Sequence, residues 1–218
     1  MSTSPQTAFV DAQITGTPDE NLFEETTLQR LDNLGYRPVD GREIRDEEAF
    51  PETDVVHRPT LRRHFREQYP FLGETALRQA VQQVASPDGV ELAQRNKEAH
   101  RLITKGFDLP YEREDGTEEY AHVYPIDWEN PQENEFWVVQ QLPIHGDNDR
   151  RPDLIVYVNG LPLVVFELKS PYRENVDVEN AYNQLGHYTQ ELRRLFTFNA
   201  FCVISDGRKT VHGVHSAN

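Results

Sequence analysis

Between residues 151 and 169 the chain reads RPDLIVYVNGLPLVVFELK, two apolar runs joined by Asn159-Gly160. Consecutive Val, Ile, Leu and aromatic residues with no polar alternation suit strands covered on both faces, and Asn-Gly between two such runs signals a hairpin. Charge then interrupts this core at Asp153, Glu167 and Lys169. Glu167 and Lys169, at i and i+2, project from one face of a strand about 7 Å apart, given a rise of ~3.3 Å per residue. Burying either alone would cost several kcal/mol, so their place in a core strand requires a reason.

Register decides what these charges meet. With a two-residue turn at Asn159-Gly160, Val158 opposes Leu161 and Asp153 falls opposite Phe166. A three-residue loop, or a bulge in either strand, instead sets Asp153 opposite Glu167, with cross-strand Cβ atoms ~5 Å apart. Two adjacent carboxylates repel unless a cation lies between them, so the sequence predicts an odd-length loop or a bulge, and a cation. Carboxylates on a rigid sheet suit Mg²⁺, which takes one or two of them and keeps several waters. Such an ion lowers the pKa of a bound water and polarises a phosphoryl oxygen, while Lys169 orients the nucleophile or stabilises developing charge. That is the chemistry of phosphodiester hydrolysis. The same spacing is equally that of an Asp153–Lys169 or Glu167–Lys169 ion pair at a strand end.

The surrounding pattern supplies helices. Thr17-Pro18-Asp19-Glu20 combines a capping box with proline at the first helical position, and Phe23, Leu28, Leu31 and Leu34 continue as a stripe that Gly35 closes. Residues 1–18 read as a flexible leader and 19–218 as one domain. Residues 37–58, charged and punctuated by proline, read as an excursion. Helical patterns return at Leu61–Gln68, Glu74–Ala85 and Val90–Thr104. Strands are predicted at His122–Ile126, Phe136–Leu142, Leu154–Val158, Leu163–Lys169 and Ala200–Ile204. From Val176 to Leu195 the positions Ala181, Leu185, Tyr188, Leu192 and Leu195 form the stripe of an amphipathic helix. On that helix Gln184 and Tyr188 share a face one turn apart, either turned toward the strand ends or, as a solvated glutamine and a core aromatic, purely structural. Strands bracketed by helices give an α/β domain in three layers.

Composition excludes several classes. The longest apolar runs fall far short of the roughly 20 residues of a membrane helix, and residues 1–16 lack the basic and apolar segments of a signal peptide. A lone Cys202 permits no intrachain disulfide and fits the cytoplasm; inside an apolar strand it reads as a packed thiol. The 37 acidic residues against 22 basic ones give a formal charge of −15, which repels nucleic acid at long range. Of the eight histidines only His212 and His215 are closely spaced, near a chain end, and read as solvated. Trp128 and Trp137 read as core anchors, and the acidic run Glu112–Glu119 as a solvated loop.

Arg151-Pro152-Asp153, the Asn159-Gly160-Leu161-Pro162-Leu163 connector, Glu167-Leu168-Lys169-Ser170-Pro171 and Gln184-x-x-x-Tyr188, in this order and spacing, resemble the N-terminal nuclease region of the restriction (R) subunit of type I restriction-modification enzymes. The likeness extends through Asn96–Gly106, Ile126-Asp127, Asn134-Glu135-Phe136, Gln140-Gln141, Asn199 and Ser205-Asp206-Gly207. Phe23-Glu24, Leu31 and Gly35-Tyr36 look like that family's first helix, whose glutamate lies close to the nuclease centre; here Glu24 and Glu25 are adjacent candidates. The resemblance implies a PD-(D/E)xK fold, that is, a restriction-endonuclease-like central mixed β-sheet flanked by helices on both faces. It further implies Asp153, Glu167 and the Leu168 carbonyl as Mg²⁺ ligands, Lys169 as the catalytic lysine, and Gln184 and Tyr188 as an element needed for cleavage. The family's R subunit adds an ATP-driven translocase and works on double-stranded DNA with modification and specificity subunits. No Walker A pattern occurs here, so this chain reads as a fragment without its motor. A rival reading keeps the fold but makes it a silent docking module that couples motor to partner subunits.

Overall fold

A computed structural model describes residues 20–45, 50–146, 148–169 and 186–214. Helix α1 (Glu20–Asn33) is closed as the sequence predicts: Gly35 takes φ +94°, and the Tyr36 N–H returns to the Leu31 carbonyl at 3.0 Å. β1 (Arg37–Asp40) and α2 (Gly41–Arg45) follow, then α3 (Arg58–Gln68), α4 (Glu74–Ala85) and α5 (Leu92–Lys105). A hairpin, β2 (Phe107–Glu112) and β3 (Glu118–Val123), precedes the central strands β4 (Phe136–Gln140), β5 (Leu154–Val158) and β6 (Leu161–Leu168). Residues 186–191 are helical (α6), and α7 (Arg193–Phe198), β7 (Phe201–Ser205) and β8 (Thr210–Gly213) complete the described chain.

Six strands form one mixed sheet in the order β1-β4-β5-β6-β7-β8, parallel at β1/β4 and β6/β7 and antiparallel elsewhere. The expected fold class is met, with helices on both faces. On one face Phe23 and Leu31 of α1 pack on Val138, Leu154 and Leu168. The other face carries the large core, where Trp137, Val139, Ile155, Tyr157 and Val165 meet side chains from α3 to α7, including Leu61, Leu77, Leu102 and Leu195. Every residue of β5 is buried, as its unbroken apolar run requires. No helix of the described residues is long and apolar enough to cross a membrane.

The connection between β5 and β6 contains both features that the register argument weighed. Asn159 and Gly160 form a tight two-residue turn, with φ of 50° and 84°, and Val158 pairs with Leu161. Tyr157 then pairs with Pro162 but Val156 with Val164, which leaves Leu163 as the extra residue of a bulge. Its carbonyl turns to accept the Ala200 N–H at 2.7 Å. Beyond the bulge Leu154 faces Phe166, the register that carries Asp153 opposite Glu167. The bulge, not a longer loop, sets the alignment.

Other expectations need correction. Residues 37–58 are not wholly an excursion, because Arg37–Asp40 form the sheet's edge strand; Pro38, read as a breaker, is tolerated where only one neighbour is paired. The acidic loop is confined to the tip of the β2/β3 hairpin, and the strand predicted at His122–Ile126 runs from Glu118 to Val123. β8, unforeseen, holds an exposed His212, while His215 lies outside the described residues. Leu192 interrupts the expected helix with φ −113° and ψ 46°, and residues 176–185 of that prediction, like the capping residues 17–19, fall outside the described chain. Trp137 is buried as expected, but Trp128 is 54 % exposed. Cys202 is a packed thiol, its pKa pushed up to about 12 by burial.

Candidate active site

The bulged hairpin delivers its charges at the open end of β5 and β6. The Asp153 Oδ2 accepts the Leu168 N–H at 2.6 Å, so the carboxylate is clamped across the strand pair. Glu167, only 1 % exposed, takes the Lys169 ammonium on its Oε1. The Lys169 N–H in turn donates to the Ser205 carbonyl at 2.8 Å, which fixes the end of β6 against β7. The side chain of Lys169 is 16 % exposed, so the amine sits at the border between the core and solvent.

A third carboxylate reaches the cluster from the opposite layer. Glu24 on α1 is buried and its neighbour Glu25 exposed, so of the two it is Glu24 that turns toward the sheet. Its Oε2 accepts from the amides of Gln140 and Gln141, each at 3.2 Å. The Gln141 amide also reaches Asp153 Oδ1 at 3.4 Å, while its backbone N–H donates to the Asp153 carbonyl at 3.0 Å. Gln141 holds a left-handed φ of 53° immediately after β4. Successive strand side chains point to opposite faces, and this backbone reversal lets two adjacent glutamines serve one carboxylate. The sequence contained the signal, a pair of amides ending an apolar strand, but nothing in it showed the left-handed step.

The electrostatic result is a surplus of buried negative charge. Burial, followed by the charges of Glu167 and Glu24, pushes the Asp153 carboxyl well above the ordinary carboxylate range, against the opposing pull of the Leu168 N–H and Lys169. One amine does not neutralise three carboxylates. The donor chemistry fits Mg²⁺: hard oxygens, low exposure and excess negative charge. Among the described residues no group of three or more His, Cys, Asp or Glu side chains is arranged to hold an ion, so a site here rests on the Asp153 and Glu167 pair with main-chain oxygen and water. Two carboxylates and water are a usual ligand set for that ion.

Of the residues singled out from the sequence, the structure thus brings together Asp153, Glu167, Lys169, Glu24 and the backbone of Leu168. Tyr188 is buried in the large core beside Leu192 and Leu195. Gln184 lies outside the described residues.

Comparison with known proteins gives a consistent assignment. The family model described as the type I restriction enzyme R protein N terminus matches residues 18–217. The chain is 37 % identical over 195 residues to the type I restriction enzyme HindI endonuclease subunit of Haemophilus influenzae, covering 87 % of this chain and 18 % of that protein. A protein of Methanocaldococcus jannaschii, provisionally named type I restriction enzyme MjaIXP endonuclease subunit, is 29 % identical over 201 residues, which are 89 % of this chain and 19 % of its own length. The type I restriction enzyme SauMSSORF170P endonuclease subunit of Staphylococcus aureus matches at 34 % over 103 residues, 47 % of this chain and 10 % of its length. The chain therefore spans about a fifth of the two longest-matched relatives.

Proposed function

Because the chain belongs to the family of type I restriction enzyme R-protein N-terminal regions, we propose that it is the DNA-cutting domain of such an enzyme, a Mg²⁺-dependent endonuclease that hydrolyses phosphodiester bonds of double-stranded DNA. One observation carries the reading. The bulge at Leu163 spends backbone regularity to bring Asp153 opposite Glu167, with Lys169 on the same carboxylate. A purely structural ion pair needs no second acid there.

In this proposal Asp153, Glu167 and the Leu168 carbonyl would hold Mg²⁺, which would supply an acidified water and charge neutralisation at the scissile phosphate. The chain's own groups do the positioning. Glu167 orients the Lys169 ammonium, which stabilises the charge that develops on the phosphate and directs the attacking water. The Leu168 N–H keeps Asp153 turned inward. Glu24, through Gln140 and Gln141, braces the end of β4 against the acids. On the family likeness alone, Gln184 and Tyr188 belong to an element that cleavage requires.

The net charge of −15 disfavours a free-standing DNA binder, so the duplex is held by the rest of the assembly: an ATP-driven translocase in the remainder of the R subunit, and modification and specificity subunits. The complex works in the cytoplasm, where its DNA is found. A domain that only coupled motor to partners would gain nothing from retaining Asp153, Glu167 and Lys169 together.

The test uses the full R subunit in its complex. Lys169→Ala should lower DNA cutting by about 10²-fold or more, the scale of losing one charge-stabilising group, and leave ATP hydrolysis unchanged. Undiminished cutting by that variant would refute the assignment.

A further inference from the structure

Among the described residues, α3, the end of α5 and the segment joining β3 to β4 enclose a cavity of about 500 Å³ that carries none of the nuclease residues. We propose that this cavity receives a basic side chain, a guanidinium or ammonium group, from a partner polypeptide. The inference is independent of the nuclease reading.

Its walls are aromatic and acidic: Tyr69, Tyr124, Trp128, Asp127, Glu129 and His64 all line it, and no lysine or arginine does. Trp128 is 54 % exposed, yet its indole N–H donates to the Ile103 carbonyl at 2.9 Å, so the ring is pinned by its edge while a large part of its surface stays open. The Tyr69 hydroxyl accepts the Tyr124 N–H at 2.8 Å, which fixes a second ring against the same segment. Ring faces so held attract a cation.

The charged groups point the same way. The Asp127 carboxylate is gripped by the N–H groups of Asn130 at 2.8 Å and Glu129 at 3.0 Å, and those bonds, that of Asn130 first, hold it below the ordinary range. It stays ionised, and exposed Glu129 adds a second negative charge. His64 is 6 % exposed; its ring donates to the Tyr124 carbonyl, and burial favours the neutral form. A neutral ring that donates from one nitrogen presents a lone pair on the other, and the buried Nε2 of His64 has no hydrogen-bond partner. It is an acceptor awaiting an N–H. His122 also lines the cavity, but it is already committed on both nitrogens, to Asp108 at 2.7 Å and the Lys105 carbonyl at 2.8 Å.

This set discriminates by charge. A nucleotide could stack on Trp128, but its phosphate would lie beside Asp127 and Glu129. A guanidinium satisfies the carboxylates, the rings and His64 together, and the surplus negative charge of the whole chain draws a basic partner surface toward it.

The 218-residue chain can be titrated with N-acetyl-arginine methylamide, with the glutamate analogue and thymidine 5′-monophosphate as separate probes, following indole and imidazole nitrogens by NMR. Buried Trp137 provides an internal reference. The arginine probe should move the Trp128 indole and His64 Nε2 signals to saturation and leave Trp137 still. Trp128→Ala should weaken that binding about fivefold, the worth of an exposed cation–π contact. Since that change also removes the bond to Ile103, Glu129→Gln, at an exposed side chain, tests the charge without disturbing the fold and should weaken binding as well. No saturation with the arginine probe, equal or tighter binding of the nucleotide, or unaltered affinity in both variants would overturn the proposal.

Discussion

The two ends of the β5/β6 hairpin are both buried and polar, yet they are built on opposite terms. At the turn, Asn159 is 1 % exposed and every side-chain group is answered: its Oδ1 accepts the Glu135 N–H at 2.8 Å, and its amide donates to the Pro125 carbonyl at 3.0 Å and to Asn134 Oδ1 at 2.7 Å. Donors and acceptors match, and no net charge is buried. At the open end, the one ammonium, that of Lys169, is bonded to Glu167, while the charges of Glu167 and Glu24 bear on the part-buried Asp153 carboxyl. A satisfied neutral network rigidifies, whereas buried charge of one sign costs stability until something cancels it. The first end secures the hairpin; the second is the place proposed for a cation. The two lie about one strand length apart on the same two segments.

Breaking the satisfied end should have the largest effect on folding. Asn159→Ala leaves the Glu135 N–H and the Pro125 carbonyl without a partner and places alanine at a left-handed φ, so it should cost about 3 kcal/mol in urea unfolding. A loss below about 1 kcal/mol would show that water replaces the network.

The charged end should respond in the opposite sense. In metal-free protein the Asp153 pKa is raised above its unfolded value, so its favourable contribution is complete below about pH 4 and is lost as pH climbs through the raised value. Stability should therefore decline across the neutral range without Mg²⁺. Asp153→Asn should flatten that decline and, at pH 8, stabilise the metal-free chain by about 1–2 kcal/mol, one pKa unit being worth about 1.4 kcal/mol. Destabilisation by this variant would mean that the cluster is a balanced structural network like the turn.

A smaller contrast sharpens the role of the glutamine brace. Gln141→Gly relieves the left-handed backbone, whereas Gln141→Ala keeps the strain, and both lose the amide that joins Glu24 to Asp153. Glycine should be the better tolerated by about 1 kcal/mol in thermal unfolding. Equal stabilities would show that the unusual φ carries no cost.

Much of this architecture was legible because its signals are local. Gly35 closes α1 by adopting a positive φ, and the unbroken Leu154–Val158 run marks a strand with two covered faces. The need to bring Asp153 opposite Glu167 predicted a bulge or an odd loop, and the bulge is present. Edge elements were harder to read. β1 carries Pro38, and β8 is largely exposed, so neither shows an apolar period. Trp128 was misread because aromaticity argues for burial, whereas its indole N–H is satisfied by Ile103 at the surface. Among the site residues, Asp153, Glu167 and Lys169 were visible through strand parity. The selection of Glu24 over Glu25, and the bridging role of Gln141, depend on contacts of 116 and 117 residues in sequence separation, which no local pattern encodes.

The central claim, that Asp153 and Glu167 together form a divalent-cation site, is tested most directly by titrating the 218-residue chain with Mg²⁺ at pH 8 while following its thermal midpoint. A saturable rise is expected, absent in Asp153→Asn and in Glu167→Gln. A midpoint that ignores Mg²⁺, or that rises as much in both variants, would contradict the account.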